Sequence, residues 1–525
     1  MAATSNPRIN IQLLPAAIVD AFADRRDLIC GVLPTAATAT SGALVQNVNS
    51  LTLAQRRAQF GTGELFGRIE KWLQANAGNS PLDVIGIDET GGGTAATAVV
   101  AFTGTATAAG TITVSAVDEF LFTTTIQVAV GATATVIGAA LETALDAFVD
   151  APFTSAAVTG TVTLTADEKG TSGNFWGIKI SMDVEGVTQV LTGWAGGATD
   201  PTLTGIFDVI TGIRYTGISW PEYWSANLSL PKTLLEARFN AANEIIDGTV
   251  FHGRSLTYAN ALTAVSTENS QTVVMGGNNK LTTLTHIGPA VLQPADWTMA
   301  YFMGVRARRL TPSAPIADFI VTTSGLLDAF GGPALASLPY FNTPLARTSL
   351  ASPAILYSSA EQVDLEHKGF TTFGVNNSAS AMIMGPVTTN WVTDASGNEN
   401  ISFHYLNYTD TGSACREIMQ RTLRSTYAQS RLTEGDLIPG RSMANAESIK
   451  AELLRLYRIL AGIALVQAGD EAEKYFSDNT VVTVSLATGG VSIAGPLPIV
   501  TQLRQLDYAL QFSFSVGSTG TTVTF

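Results

Sequence analysis

The stretch GGGTAATAVVAFTGTATAAGTITV, residues 91–114, separates two regions that each mix helical and strand patterns. It is built almost wholly of Gly, Ala, Thr and Val, and at its end Ile112 and Val114 alternate with threonines. That alternation is the period-two pattern of a half-buried strand. A Gly-rich run that ends in proline, Gly193–Pro201, closes the region. We therefore expect residues 91–199 to form an inserted β-rich domain.

This insert, as residues 91–199 are called below, also carries one predicted helix. Apolar residues recur at helical spacing over Ile137–Phe148, and Thr133 is a candidate N-cap. Alternating runs around Val162–Leu164 and Ile178–Met182 predict further strands. The insert should fold as a small sheet with one helix, peripheral to the rest of the chain.

The regions on either side of the insert have α/β patterns. Before it, an apolar strand and a helical stretch precede a second strand; after it, helices and strands alternate again. The predicted strands are Leu28–Leu33, Leu82–Ile87, Ile213–Ser219 and Val273–Met275, and the predicted helices are Thr52–Leu73, Leu203–Gly212 and Leu234–Ile246. We expect residues 26–90 and 200–345 to make one discontinuous α/β middle domain.

Residues 346–500 have the pattern of a C-terminal α+β core domain. Phe370–Val375 and Ala381–Gly385 predict a hairpin, and Glu417–Ser430 predicts a helix. The strongest helical pattern is Ala446–Gln467, with Gly469 as its predicted C-cap. A strand at Val481–Leu486 completes this region.

Both ends of the chain carry alternating strands beside segments that contain proline or glycine. Residues 1–25 form a predicted N-terminal arm, and residues 501–525 form a predicted C-terminal strand and tail. A short terminal strand needs a sheet to join, in its own chain or in another. The predicted strand-exchange residues are Ile9, Ile11, Leu13, Tyr508, Leu510, Phe512 and Phe514. The predicted fold class is α+β and multidomain, with a discontinuous α/β main body, an inserted β-rich domain and terminal strand-exchange arms.

Composition excludes several classes of function. The 525 residues hold 29 basic and 43 acidic side chains, a net charge of −14, so we expect no nucleic-acid partner. No stretch of 18 apolar residues occurs, so we expect no membrane span. Only 14% of residues are charged, against about 25% in ordinary soluble domains, which favours surfaces that neighbouring subunits cover.

Residues with the spacing of a catalytic or metal site are missing from the sequence. Cys30 and Cys415 are far apart, and the four histidines are scattered singly. The Gly-rich turn at Gly276–Lys280 lacks the spacing of a phosphate-binding loop. We therefore predict no catalytic residue, no cofactor and no metal, and we expect two ordinary reduced thiols.

Two basic clusters stand out against the acidic average. One is Arg306, Arg308 and Arg309; the other is Arg416, Arg421, Arg424 and Arg431. The spacing of Arg421, Arg424 and Arg431 places them on one stripe if the helix continues through them. A solvated helix face and a docking surface for an acidic protein partner both fit this pattern.

The order of these motifs resembles the tail sheath proteins of contractile-tailed phages, particularly those of Mu-like phages. The resemblance covers nearly the whole chain. It is carried by GTATAAGTITV at 104–114, the helix 136–148, VTLTADEKGTSGNFWGIKI at 162–180, GGATDPTL at 196–203, the stretch 358–375, the helices 423–431 and 446–466, and IVTQLRQLDYALQF at 499–512. The segment around Pro294–Asp296 departs from the family pattern, and so does the tail Gly517–Phe525.

The resemblance implies a structural subunit that is not an enzyme and needs no cofactor. Such subunits stack as hexameric rings around an inner tail tube, and strands from the arms link neighbouring copies. Contraction then drives the tube through the host envelope. Implied partners are other copies of the chain, the inner tail tube protein, and the baseplate and tail terminator proteins, with Arg421, Arg424 and Arg431 as tube-facing candidates. The implied location is the virion, with assembly in the host cytoplasm.

Other classes of protein also fit parts of the pattern. An extracellular β-rich adhesin or surface-layer protein would explain the Thr, Gly and Ala content and the acidity, but not the two α/β regions. A contractile sheath from a tailocin or an injection device would have the same sequence features as a phage sheath. An enzyme would need a constellation of reactive residues that this sequence does not present.

Overall fold

A computed structural model describes most of the chain as a mixed α+β protein with several sheets. The described residues are 8–13, 26–78, 80–210, 212–238, 248–310, 340–346, 348, 350, 352–376, 378, 381–427 and 429–501. Their apolar side chains gather into separate buried clusters. The predicted multidomain α+β class is therefore confirmed.

Strands supply most of the framework of the described residues. In chain order they are β1 Arg8–Leu13, β2 Arg26–Leu33, β3 Leu44–Val45, β4 Leu82–Asp88, β5 Ala95–Gly104, β6 Gly110–Ala116, β7 Thr123–Val128, β8 Phe153–Val158, β9 Thr161–Lys169, β10 Ile178–Met182, β11 Val187–Ala195, β12 Tyr215–Trp220, β13 Thr249–Leu256, β14 Val273–Thr282, β15 His286–Pro289, β16 Phe370–Val375, β17 Met382–Met384, β18 Arg431–Leu432, β19 Met443–Ala444, β20 Val481–Ser485 and β21 Gly490–Pro496.

Helices connect and cover these strands. In chain order the α-helices are α1 Leu53–Phe60, α2 Glu64–Asn76, α3 Ala134–Leu145, α4 Ser229–Arg238, α5 Tyr258–Ser266, α6 Ala295–Leu310, α7 Ser359–His367, α8 Leu406–Tyr427, α9 Ala446–Gly462 and α10 Asp470–Asn479. Short 3-10 turns lie at Ser172–Phe175 and Glu222–Asn227.

A parallel sheet forms the centre of the chain. Its strands stand in the order β4-β2-β12-β13-β14, and every neighbouring pair is parallel. Numbered along the chain, this is the order 2-1-3-4-5 of a doubly wound sheet. Every residue of β12 is buried, as expected for a parallel strand that is covered on both faces. The sheet takes strands from both sides of the insert.

Two apolar layers cover the faces of this sheet. On one face α1, α2 and α6 contribute Phe60, Trp72 and Phe302 to a buried cluster. On the other face α4, α5 and α7 contribute Leu235 and Leu365, among others, to a second cluster. Helices on both faces are the usual consequence of crossovers between parallel strands.

The insert contains a four-stranded antiparallel sheet, β11-β5-β9-β8, packed on α3. Its other strands, β10, β6 and β7, extend the central sheet, because β10 pairs with β15, and β15 pairs with β14. Trp297 of α6 is buried in the same apolar cluster as the insert's own side chains. The insert is thus attached through a continuous sheet and a shared core as well as through its two linkers.

The C-terminal region packs three helices against a small sheet. Apolar side chains of α8, α9 and α10 share one cluster with Val491 and Ile493 of β21. The hairpin predicted within residues 346–500 is confirmed, since β16 and β17 pair antiparallel from Phe373 to Val375; through the pairing of β16 with β14 it joins the central sheet.

Two predicted elements are wrong in type or extent. Leu203–Gly212 is not a helix in its described residues; only a 3-10 turn forms, at Asp208–Ile210. The strand predicted to stop at Gly276 continues to Thr282. A Cβ at Gly277 would lie 1.8 Å from the Arg254 carbonyl oxygen, so glycine here permits close packing of strands and does not break the strand.

Several helix ends also differ from prediction. The helix predicted over Glu417–Ser430 is α8, Leu406–Tyr427, and the helical stretch predicted over Thr52–Leu73 forms two helices, α1 and α2. The helix predicted to reach Gln467 ends at Gly462, and Ile463 is its C-cap. Gly469, predicted to end that helix, instead precedes α10 as its N-cap. The helix predicted over Leu234–Ile246 is α4, which begins earlier, at Ser229; residues 239–247 lie outside the described part of the chain.

Candidate assembly interface

The N-terminal strand β1 completes a small sheet at the other end of the chain. It pairs antiparallel with β21, in register from Arg8 opposite Pro496 to Leu13 opposite Val491. β21 also pairs with β20, so the strand order is β1-β21-β20. The predicted strand at Ile9–Leu13 is confirmed, and its pairing partner here is β21 of the same chain.

The β20–β21 hairpin gives this sheet a fixed base. Its turn contains Gly489 at a φ of +65°, a left-handed conformation that glycine adopts without strain. Val491 and Ile493 point into the cluster formed with α8 and α9. Because these side chains anchor the middle strand, both of its neighbours can add to it by backbone hydrogen bonds.

The outer edges of the sheet differ in how they are covered. β1 lies at one edge, close to α8. β20 lies at the other, where Val481 is 60% exposed and the described residues supply no further strand. An open strand edge presents unpaired N–H and C=O groups that can template the addition of another strand.

A curated relative matches almost the entire chain. It is the Mu-like prophage FluMu tail sheath protein of Haemophilus influenzae, 25% identical over 476 residues, which cover 87% of each chain. The resemblance to Mu-like tail sheath proteins is confirmed. No protein-family model matches the chain.

Two solved structures of sheath tail proteins are also similar to this chain. The one from Desulfitobacterium hafniense is 10% identical, with 92% of this chain and 95% of that chain covered, at a TM-score of 0.44. The one from Listeria innocua is 11% identical, with 91% and 93% covered, at a TM-score of 0.43. Because both TM-scores lie below 0.5, neither structure bears on the function.

The predicted arginine stripe of this chain is not continuous. Arg421 and Arg424 lie on α8, but that helix ends at Tyr427. Arg431 is exposed and begins the two-residue strand β18, which pairs with Met443. The three arginines therefore do not share one helix face. The ten-residue spacing from Arg421 to Arg431 does not align their side chains, because the helix ends between them. The remaining predicted exchange residues, Tyr508, Leu510, Phe512 and Phe514, lie outside the described residues.

Arg306 of the other basic cluster is buried. It therefore belongs neither to a solvated helix face nor to a docking surface. Its guanidinium donates to Asp410 of α8, with Nε 3.0 Å from Oδ2 and Nη2 2.5 Å from Oδ1. Tyr340 donates to the same carboxylate at 2.6 Å. Arg306 also donates to the Thr216 carbonyl oxygen of β12 at 2.9 Å. This network ties the C-terminal helix α8 to the parallel sheet, and sequence spacing alone gave no signal of it.

The carboxyl edge of the parallel sheet is where doubly wound folds usually bind ligands. Here β2 and β12 separate beyond Ile29 and Ser219, and Arg68 bridges the gap. Its Nη2 donates to the Cys30 carbonyl oxygen at 2.6 Å and its Nη1 to the Ser219 carbonyl oxygen at 3.3 Å. The crevice is thus filled by a side chain of the chain itself.

Tyr223 and Glu64 complete the filling of this crevice. The Val32 N–H donates to the Tyr223 hydroxyl oxygen at 3.0 Å, and that hydroxyl donates to Glu64 at 3.2 Å. Glu64 forms an ion pair with Arg68 at 2.6 Å. All three side chains are buried. The edge that could hold a ligand is occupied by an internal polar network.

Both thiols of the chain and the His252 imidazole are buried. Cys30 and Cys415 are free and buried, and burial raises the pKa of the Cys30 thiol to about 12. His252 is fully buried, and its desolvation lowers its pKa to about 3. His367 is exposed at the end of α7. Among the described residues no three His, Cys, Asp or Glu side chains are grouped to hold a metal ion.

Membrane insertion by a helix has no support in the described part of the chain. None of its helices combines the length and the apolar character that crossing a bilayer requires.

Proposed function

We propose that the chain is the sheath subunit of a contractile phage tail. In this proposal it polymerises as stacked hexameric rings around an inner tail tube and contracts to drive the tube through the host envelope. The observation that carries the proposal is similarity to a curated tail sheath protein over 87% of both chains. The subunit has no catalytic role and no cofactor, and the finished sheath is part of the virion after assembly in the host cytoplasm.

Strand exchange through β1 is the proposed link between subunits. The same six residues can pair with β21 of their own chain or of a neighbour, so the pairing contacts are alike in both states. Twelve residues, 14–25, join β1 to β2, and fully extended they reach about 45 Å. That length lets the strand leave its own sheet without disturbing the parallel sheet.

The energies involved are compatible with exchange of β1 between chains. Six backbone hydrogen bonds contribute about 0.5–1.5 kcal/mol each. Ordering six residues costs about 1–2 kcal/mol each. The two sums are of similar size, so β1 is held only marginally in its sheet. In a ring of subunits β1 can therefore pair with β21 of a neighbouring chain instead of its own.

The C-terminal segment is proposed to add to a neighbour's sheet in the same way. The alternation of Tyr508, Leu510, Phe512 and Phe514 places these side chains on one face of a strand. The edge of β20 is the proposed acceptor, because the described residues leave it open. Burial of each phenylalanine would contribute about 1.5–3 kcal/mol.

The remaining partners follow from the same proposal. Arg421, Arg424 and Arg431 are proposed to face the inner tail tube, and the end rings are proposed to meet the baseplate and tail terminator proteins. The insert, residues 91–199, is proposed to lie on the outside of the cylinder. An adhesin or surface-layer protein is not favoured, because the curated relative is a tail sheath protein.

Negative-stain electron microscopy of the purified chain, with and without an inner tube protein, tests the proposal. We expect hollow striated cylinders from the full chain and none from a chain that ends at Thr501. Changing Phe512 and Phe514 to Ser should abolish cylinders, whereas changing Ser513 and Ser515 to Ala, on the opposite face of the alternation, should not. Cylinders from the truncated chain would refute the C-terminal exchange. Failure of the full chain to polymerise even on a tube would refute the sheath assignment.

A further inference from the structure

A buried carboxyl group of the insert reaches into the crevice of the parallel sheet. Glu168 of β9 is fully buried, and its Oε2 accepts a hydrogen bond from the Glu64 N–H at 3.2 Å. The fit is close, because a Cβ at Gly63 would lie 2.3 Å from the same oxygen. No hydrogen bond of good geometry reaches the Glu168 Oε1 atom within the described residues, and the nearby Ser172 hydroxyl lowers the pKa of this carboxyl group against the effect of burial. The insert therefore docks on the first turn of α2 through a carboxyl group that water does not reach.

Charged groups surround Glu168 from the elements packed against it. From α2 it faces the carboxylate of Glu64 and the guanidinium of Arg68, and from the turn 222–227 it faces the phenol of Tyr223. Since Arg68 already pairs with Glu64, it offers little to a second carboxylate. Burial, and then repulsion from Glu64, raise the pKa of Glu168 to about 8.

Further charges lie around this centre and at the same junction. Beyond Arg68 lie three more charged side chains, Asp296, Glu222 and Arg254. The Glu222 carboxylate pairs with Arg254 and accepts a hydrogen bond from the Ser255 N–H, and the Glu222 backbone N–H donates to Asp296. Polar contacts of the described residues also join α1, α2 and the turn before α2 to the insert. They include Lys71–Asp118 at 2.8 Å, Thr62–Asp167 at 3.0 Å and the ion pair Arg57–Asp150. Burial raises the pKa of Asp167, while its bond from Thr62 lowers it. Glu168 is wholly enclosed, and the ion pairs described at this junction do not include it.

We propose that Glu168 is a proton-dependent latch between the insert and the parallel sheet. When it carries a proton, the neutral carboxyl group fits beside Glu64 and the insert is held on α2. When it loses the proton, two carboxylates share one guanidinium in a buried site and the contact weakens. This latch is a property of the single chain and does not depend on the proposed sheath function.

The direction of the pH effect follows from the two protonation states. Docked Glu168 keeps its proton up to about pH 8, whereas an undocked, solvated Glu168 releases it near the ordinary glutamate pKa of about 4.3. Docking is therefore strongest below pH 4.3, weakens by up to about tenfold per pH unit as the pH rises toward 8, and changes no further above 8.

Hydrogen–deuterium exchange of the full chain tests the latch. Peptides from 161–175 and 64–76 are followed from pH 5 to pH 9 in the wild type and in Glu168→Gln, whose amide is neutral at every pH. The wild-type protection divided by that of the variant cancels the intrinsic pH dependence of exchange. We expect this ratio to fall severalfold to tenfold per pH unit up to about pH 8 and then to level off.

Two further variants make the outcome decisive. Glu185→Gln, at an exposed position of the same insert, should match the wild type at every pH. Glu64→Gln removes the facing carboxylate and should move the pH window downward, which gives a second test if Glu168→Gln does not fold. A wild-type to Glu168→Gln ratio that is constant with pH, or a window unmoved by Glu64→Gln, would overturn the proposal. Loss of polymerisation in any of these variants would not bear on it.

Discussion

Replacement of Asp410 by Ala should weaken the joint between α8 and the parallel sheet. The Asp410 and Arg306 side chains are only 2% and 5% exposed, so the pair is shielded from water. Removing one partner of a buried pair costs about 3–5 kcal/mol, because the other charge stays buried without compensation. Here the loss also strands the Tyr340 hydroxyl, which donates to the same carboxylate. We expect the free energy of unfolding to fall by about 3–5 kcal/mol.

The measurement is chemical denaturation followed by tryptophan fluorescence, since Trp220 and Trp297 lie in or beside the parallel sheet. Asp478→Ala is the matched control, because its ion pair with Lys474 is 57% and 74% exposed. Exposed pairs contribute about 0–1 kcal/mol, so the control should unfold close to the wild type. Equal small shifts in both variants would show that the Arg306 network does not hold α8 to the sheet.

Two other predictions test the packing of the core. Gly67→Ala would place a methyl group 2.0 Å from the Trp297 ring, so we expect a net loss of about 1–3 kcal/mol in thermal or chemical unfolding, whereas Gly462→Ala, with open space at its Cβ, should be neutral or slightly stabilising. A stable Gly67→Ala protein would mean that α2 and α6 are not in close contact there. Cys30 and Cys415 should resist alkylation in the native chain and react after unfolding, because both are buried; rapid native labelling followed by mass spectrometry would contradict that placement.

Sequence patterns predicted the elements whose capping residues or hydrophobic spacing lie within the element itself. Thr52 and Gln55 form a full capping box at α1, and the hydrophobic spacing of α9 was clear from Ile449 to Leu460. The ends of elements were less predictable, because the chain can reverse without a glycine. After α9 the reversal uses Ala464 at a φ of +57°, so Gly469 was free to serve the next helix.

Contacts between distant segments were beyond the sequence patterns. Pairing of β15 with β10, which joins the insert to the central sheet, involves strands about 100 residues apart, and β15 is only four residues long. The burial of Arg306 likewise depends on α8, which begins 100 residues later. The continuous stripe predicted for Arg421, Arg424 and Arg431 failed because β18 starts where a longer helix was assumed.

The filled crevice explains how an α/β sheet can serve a structural role. Doubly wound sheets leave a gap at the carboxyl edge where the strand order reverses, and ligands usually occupy it. In this chain Arg68 satisfies the carbonyl oxygens that the separated strands expose, and Tyr223 satisfies the Val32 N–H. Glu168 then brings the insert onto the same spot. The edge that would bind a small molecule is thereby used to join two parts of one chain, whereas the β20 edge of the β1-β21-β20 sheet stays open among the described residues.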